Sequence, residues 1–183
     1  MRFDDYHRTV VGYHGTRLSV ALEIVQRRRR FRTSENRDDW LGHGVYFWEY
    51  APQQAFSWAK RLQAEKKWNE PIAVLGSMIR LGFCFDLLDP YNAEYLREIY
   101  RDFRAAEDAT GRALPRNVRH RRYLDCAVFE YAYEVIGSGD GSQRVDTARA
   151  VYVPTDAKSR IWPGSWISEG AHVQICVRIR LAS

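Results

Sequence analysis

Two glycines and a run of β-forming residues give the stretch 41–49 (LGHGVYFWE) the clearest potential for chemistry in the chain. Gly42 and Gly44 lie one residue apart, and glycine allows a tight turn or the close approach of a ligand because it has no Cβ. Val45 and the three aromatic residues after it favour a half-buried strand. The pattern predicts a loop that tightens into a strand and places Tyr46 beside a cleft. The alternative is a hairpin corner with a core tyrosine.

His14 is the second candidate, because it ends a short β-type run. The run covers residues 9–14 and stops at Gly15 and Thr16. A turn at this point would expose backbone N–H groups to a ligand, whereas a histidine with a purely structural role is the alternative. Ser19 could cap the helix that follows. The apolar residues of that helix recur at helical spacing: Leu18, Ala21, Leu22 and Val25.

The last strand has the most regular pattern. Apolar residues alternate with polar ones from Val173 to Leu181. This period of two places Gln174 on the face opposite the core, and His172, two residues earlier, shares that face. An aromatic loop that contains Glu169 leads into the strand.

Apolar periodicity predicts the remaining elements, which are helices at about 55–66, 90–103 and 124–135 and strands at 31–34, 72–81 and 83–88. Gly76 interrupts the second of these strands. Glu130 and Glu134 share a helix face, and neither is expected to have a fixed partner. Because strands lie at both ends with helices between them, the sequence predicts a single α+β domain over residues 1–183.

The charge balance permits a polyanionic partner. The net charge is +5 and the sequence pI is about 9.2. Basic residues cluster at 27–32 and 116–122, and the second cluster contains Arg119, Arg121 and Arg122. Solvated faces of an ordinary surface, or contacts to an acidic protein, are the alternatives to nucleic-acid binding.

The cysteines and the apolar runs bear on the compartment. The three cysteines are widely spaced and odd in number, which favours reduced thiols in a cytoplasmic protein without a metal site. No apolar run is as long as a membrane span, so no membrane partner is expected.

Three motifs in order resemble the ADP-ribosyltransferase superfamily. They are the segment 13–16 (YHGT), the segment 42–47 (GHGVYF) and the last strand, which begins at His172. The chain is most similar to the branch with a His–Tyr–Glu triad, which includes the poly(ADP-ribose) polymerases and diphtheria toxin. Within that branch it resembles small bacterial proteins that act as toxins or in defence against phage, some of them with an antitoxin partner. The resemblance implies an α+β fold with a split central sheet flanked by helices.

The resemblance also implies roles in a reaction on NAD, which serves as a co-substrate. His14 would hydrogen-bond a ribose hydroxyl, and the backbone of Gly15, supported by Thr16, would hold the nicotinamide carboxamide. Tyr46 would stack on the nicotinamide ring. Trp58 would form the second face of an aromatic sandwich. The remaining glycine of the cofactor site would be Gly44.

The third catalytic position departs from the family pattern, because Gln174 stands where the family has a glutamate. An amide can accept the same hydrogen bond from a ribose 2′-OH but carries no negative charge. Glu169 could instead supply the carboxylate, or the protein could be an inactive relative that serves as a binding module. His172 would face the acceptor.

The acceptor is expected to be RNA or single-stranded DNA. Exposed aromatic rings among basic residues suit unstacked bases. The residues expected to contact it are Glu169, His172, Arg119, Arg121 and Arg122, with aromatic support from Phe31, Tyr123, Trp162 and Trp166. A protein acceptor, or hydrolysis of NAD without an acceptor, is the alternative.

Overall fold

Five strands and four α-helices make up most of the part of the chain that the computed structural model describes, which comprises residues 5–138, 144–154 and 156–178. In chain order these elements are β1 Asp5–Arg17, α1 Leu18–Val25, β2 Val45–Glu49, α2 Pro52–Glu65, β3 Ile72–Asp86, α3 Pro90–Ala109, α4 Tyr123–Gly137, β4 Thr147–Tyr152 and β5 His172–Val177. The predicted α+β class is therefore confirmed.

The five strands form one closed sheet in the order β1-β2-β5-β4-β3. All neighbours are antiparallel except β3 and β4, which are parallel. The long strands β1 and β3 pair along most of their length and join the two ends of the sheet. The sequence resemblance predicted a split sheet, whereas the five strands form one closed sheet. β1 and β2 pair over only two residue pairs within the described residues.

The closed sheet is packed on both faces. Its interior is a small apolar core of Val10, Val45, Phe47, Ile79, Leu81, Cys84 and Ile175. A larger core lies outside, where α3 and α4 cover the face that carries Phe85, Ala148 and Cys176. The last strand consequently has buried residues on both faces, and the face that carries Gln174 is not simply a solvent face.

The three longer helices confirm the apolar periodicity. The side chain of Asp89 accepts a hydrogen bond from the backbone N–H of Tyr91 at 2.9 Å, and Pro90 occupies the first turn of α3. Ile99 and Phe103 are buried on its inner face. No helix within the described ranges is long and apolar enough to cross a membrane.

Local predictions near the first and third strands need correction. Ser19 does not cap α1, because it lies inside the helix and its backbone N–H donates to the Glu70 carboxylate at 2.9 Å. β1 runs through Gly15 to Arg17 and β3 runs through Gly76, since the two strands support each other over this whole length. The expected strand at 31–34 is reduced to a single bridge between Ser34 and Gly44.

β4 was not predicted from the sequence, and the end of the last strand lies outside the described residues. β4 has Ala148 and Ala150 on one face, and alanine has a weak preference for strands. The predicted continuation of β5 over 179–181 is not described, and neither are residues 139–143, which include most of the glycine-rich segment 137–142 (GSGDGS) that the sequence predicts as a surface loop.

A charged network lies within the closed sheet. The Arg149 guanidinium binds both oxygens of Glu49, at 2.5 and 2.8 Å, and contacts Asp86 at 3.0 Å. All three residues are buried. The hydrogen bonds with Glu49, together with the charge of Asp86, raise the pKa of Arg149, so the guanidinium stays charged.

Candidate functional site

The gap between β1 and β2 contains the histidine and the tyrosine that the motifs single out. The two strands pair at Gly12–Glu49 and Tyr13–Trp48. Beyond these pairs, the Nδ1 atom of His14 lies 2.9 Å from the carbonyl oxygen of Tyr46. A carbonyl can only accept, so Nδ1 carries the hydrogen, and Nε2 of the neutral ring remains an acceptor. The imidazole thus bridges the two strands.

The backbone of Gly15 faces the same gap. The carbonyl of Val11 accepts a hydrogen bond from the N–H of Tyr50 just after β2, so the backbone groups of Val11 point towards β2. Backbone groups of alternate residues in a strand point to the same edge. The N–H and C=O of Gly15, four residues later, therefore also point to this edge, beyond the last pair that β1 makes with β2.

Close packing explains why both glycines of the predicted cofactor site lack side chains. A Cβ on Gly15 would overlap the backbone carbonyl of Ala55 in α2. A Cβ on Gly44 would overlap the sulfur of Cys176. Thr16 pairs with Ala73 in the β1–β3 ladder. Gly44 therefore has a packing role between β2 and β5, and only Gly15 combines packing with a backbone position at the gap.

Tyr46 is anchored by its hydroxyl group. The hydroxyl donates to the carbonyl of Gly42 at 2.8 Å and accepts from the backbone N–H of Leu41 at 2.9 Å. Burial raises the pKa of the Tyr46 phenol, so the group remains protonated. The ring is half-buried against the outer core. Tyr46 thus fastens the glycine loop and keeps part of its ring exposed.

Gln174 lies on the same face of the sheet as Tyr46. In the β2–β5 ladder Trp48 is opposite Gln174, and Tyr46 is opposite Cys176. The Trp40 indole N–H donates to the side-chain oxygen of Gln174 at 2.6 Å. Trp40 therefore orients the amide, and its NH₂ group is the end left to bind a ligand.

Trp40 connects this amide to an aromatic cluster. Its members are Trp40, Trp48, Trp58, Tyr152 and His172. The ring of Tyr152 stacks on His172 with centroids 5.1 Å apart, and Trp48 contacts Trp58 with centroids 5.8 Å apart. Trp58 was expected opposite Tyr46, and the structure places it against Trp48, two residues further along β2. The guanidinium carbon of Arg61 lies over the Trp58 ring, 4.1 Å from its centroid.

His172 has one satisfied and one unsatisfied nitrogen. Nδ1 donates to the carbonyl of Gly170 at 2.6 Å. Nε2 is buried and has no hydrogen-bond partner among the described residues. Glu169 in the preceding loop is exposed, and its backbone N–H donates to the carbonyl of Ser159 at 2.6 Å.

The predicted acceptor arginines are partly neutralised. Arg121 forms an ion pair with Asp38 at 2.8 Å, and Arg122 lies 3.9 Å from Asp125. Arg122 also donates to the carbonyl of Arg119 at 2.8 Å. The Arg121–Asp38 pair attaches the basic segment to the loop that precedes Trp40, and Arg122 is bound within the segment and the helix that follows it.

Some contacts of the site could not be read from the sequence. Glu130, for which no fixed partner was expected, accepts from the backbone N–H of His43 at 2.6 Å and pairs with Arg178 at 3.2 Å. Trp40 and Tyr152 were not singled out at all. A signal existed only for Trp40, which directly precedes the glycine loop. A surface depression lined by Arg80, Gly82, Asp146, Thr147, Val177 and Arg178 contains none of the predicted site residues.

The two partly buried imidazoles are expected to make the fold less stable in acid. Burial lowers the pKa of His14 and of His172 from the ordinary 6.5, against smaller opposing effects of their backbone hydrogen bonds. The stability that the neutral rings contribute is present above about pH 6.5 and is lost as the pH falls from there towards the folded-state pKa values. Urea unfolding between about pH 7.5 and 5.5 measures this loss.

Histidine variants separate the pH dependence of stability that the two imidazoles cause from the pH dependence that carboxylates cause. His14→Asn and His172→Asn should each make the free energy of unfolding less dependent on pH in this range. His120→Asn is the matched control, because His120 is exposed. An identical pH dependence in all three variants and the parent chain would exclude the imidazoles of His14 and His172 as its source.

The geometry defines a class of protein but not a family. It is an α+β protein with a closed mixed sheet, in which a histidine bridges β1 and β2 and an amide bound by an indole lies on β5, the other neighbour of β2. Within the described residues, no group of three or more His, Cys, Asp and Glu side chains could hold a metal ion. Comparison with protein-family models, with curated proteins and with solved structures gives no match in any of the three.

Proposed function

We propose that the protein is a NAD-dependent mono-ADP-ribosyltransferase. The observation that carries the proposal is the hydrogen bond between His14 and the Tyr46 carbonyl. It brings together two motifs that are 32 residues apart, at an edge to which the backbone of Gly15 also points. A histidine acceptor, a strand edge to which the Gly15 backbone points and a partly exposed aromatic ring are the groups that a nicotinamide riboside unit needs.

The proposed reaction breaks the bond between nicotinamide and the anomeric carbon of ribose. Nicotinamide leaves with the bonding electron pair, and positive charge develops on the sugar. The acceptor's oxygen or nitrogen then bonds to the anomeric carbon and loses its proton to solvent. Stabilising this charge in the transition state is the enzyme's task.

Each site residue has a part in this scheme. Nε2 of His14 accepts a hydrogen bond from a ribose hydroxyl, and Gly15 binds the carboxamide. Tyr46 stacks on the nicotinamide ring. The proposed role of Gln174, oriented by Trp40, is to donate a hydrogen bond from its amide NH₂ to the 2′-oxygen. Because an amide has no net charge, Gln174 positions the sugar more than it neutralises the developing cation.

The proposed acceptor is a single-stranded nucleic acid. Trp166 is 95% exposed and Trp162 55% exposed, on a loop fixed by the Arg160–Ser168 bridge. Exposed indoles on a fixed loop are suited to base stacking. Phe31 does not take part, because its ring packs on His14 and Phe47. A toxin or phage-defence role, with an antitoxin partner, is proposed on the resemblance to small bacterial ADP-ribosyltransferases alone.

Incubation with NAD labelled in the adenylate phosphate tests the proposal. We expect nicotinamide release together with label on RNA or single-stranded DNA, and both should be lost in His14→Ala. Label on protein would reassign the acceptor, and free ADP-ribose alone would indicate a NAD glycohydrolase. Absence of nicotinamide release with every acceptor would contradict the proposal and leave a binding module.

A further inference from the structure

Most arginines of the arginine-rich segment, residues 27–32, are not neutralised by an acidic partner within the described residues. All five of its arginines are exposed. Arg29 pairs with Glu23 at 3.2 Å. The remaining four form no ion pair within the described residues. Exposed guanidinium groups without partners repel one another, so their clustering favours an anionic ligand.

The segment is fixed at the edge of the strand gap. The ring of Phe31 meets that of His14 edge-on, with centroids 5.3 Å apart, and also contacts Phe47 at 5.2 Å. Three residues later, Ser34 exchanges two backbone hydrogen bonds with Gly44, of 2.8 and 3.1 Å. Because Phe31 and Ser34 are both held, the backbone around them is held beside His14.

This arrangement distinguishes the arginines within the segment. Arg30 and Arg32 directly flank Phe31. Arg27 and Arg28 belong to the turn that ends α1, where their N–H groups donate to the carbonyls of Ile24 and Glu23. Arg30 and Arg32 are thus the exposed arginines next in sequence to the ring that contacts His14, and Arg27 and Arg28 lie at the end of the helix.

We propose that Arg30 and Arg32 bind the diphosphate of NAD. The inference rests on the proposed function, which places the nicotinamide riboside against His14, since the diphosphate is the next group along the dinucleotide. Arginine suits this ligand because its planar fork forms paired hydrogen bonds with phosphate oxygens. The basic segment at 116–122 is less suited, because Asp38 and Asp125 already contact Arg121 and Arg122.

Calorimetric binding of ADP-ribose to the full chain tests the assignment. Arg30→Ala/Arg32→Ala should weaken ADP-ribose binding by about 10- to 100-fold, as expected for loss of hydrogen bonds to a charged group. Arg27→Ala/Arg28→Ala removes the same charge from the same segment and should change binding by less than about threefold. Nicotinamide riboside, which lacks the diphosphate, should bind equally to both variants and the parent chain.

The outcomes separate this proposal from the proposed function. Loss of ADP-ribose binding in Arg30→Ala/Arg32→Ala alone supports the diphosphate site, even if the chain releases no nicotinamide from NAD. Equal weakening in both double variants would overturn the diphosphate site. The arginines would then act through the overall positive charge of the segment and not through contacts with the phosphates. The diphosphate site is also overturned if the parent chain does not bind ADP-ribose, or if Arg30→Ala/Arg32→Ala impairs only the binding of an oligonucleotide.

Discussion

Replacing Arg149 with methionine is expected to lower the free energy of unfolding by about 3–5 kcal/mol. The substitution leaves the carboxylates of Glu49 and Asp86 buried without their shared cation. Two like charges in the interior of the sheet must then be hydrated, protonated or separated, and each of these costs free energy. Urea denaturation at neutral pH measures the change, and unchanged circular dichroism verifies the native fold.

Three further variants test whether the buried network causes the loss of stability. Arg104→Ala removes one partner of an exposed i,i+4 pair with Asp108, and should cost less than about 1 kcal/mol. Replacing Arg149, Glu49 and Asp86 together with apolar residues of similar size should recover most of the loss, because no uncompensated charge remains. If Arg149→Met cost no more than Arg104→Ala, the network would be of little importance for stability. Arg149→Lys, which keeps the charge but loses the paired bonds, covers the case in which Arg149→Met does not fold.

Apolar periodicity was sufficient to predict most of the fold. It located α2, α3 and α4 because their buried faces follow the 3.6-residue repeat. It failed for β4, where Arg149 lies among the core-facing residues and its neighbours are alanines. The sequence cannot show that this arginine is buried, because its two partners lie 100 and 63 residues away.

The candidate site was predictable only where a motif fixes the backbone. His14 and Tyr46 come together because they lie on adjacent strands. Gln174 and His172 share a face because successive side chains of a strand point to opposite faces. The contact between Trp40 and Gln174 spans 134 residues and depends on how a loop folds over the sheet. Nothing in local spacing specifies such a contact, and the same is true of Glu130 and its partners.

Removing the side chain of Gln174 is expected to lower the kcat for nicotinamide release by roughly 10²–10³, the usual effect of losing a positioned hydrogen bond in a transition state. NAD affinity should change much less, because ring stacking and the contacts of His14 remain. Single-turnover measurements at saturating NAD separate the two effects. Gln174→Glu should retain or raise activity, since a carboxylate there supplies the charge that the amide lacks.

Trp40→Phe is the control for orientation. It keeps an aromatic ring but removes the N–H that holds the Gln174 oxygen 2.6 Å away. If Trp40 acts by orienting the amide, this variant should lower kcat less than Gln174→Ala does, and adding it to Gln174→Ala should cost little more. The double variant is informative because effects within one hydrogen-bonded pair are not additive.

Glu169→Gln should be nearly silent, since the side chain is exposed in the preceding loop. If Glu169→Gln abolished turnover while Gln174→Ala preserved it, the loop carboxylate would be the third catalytic group. The amide beside Trp40 would then be a structural feature of the sheet.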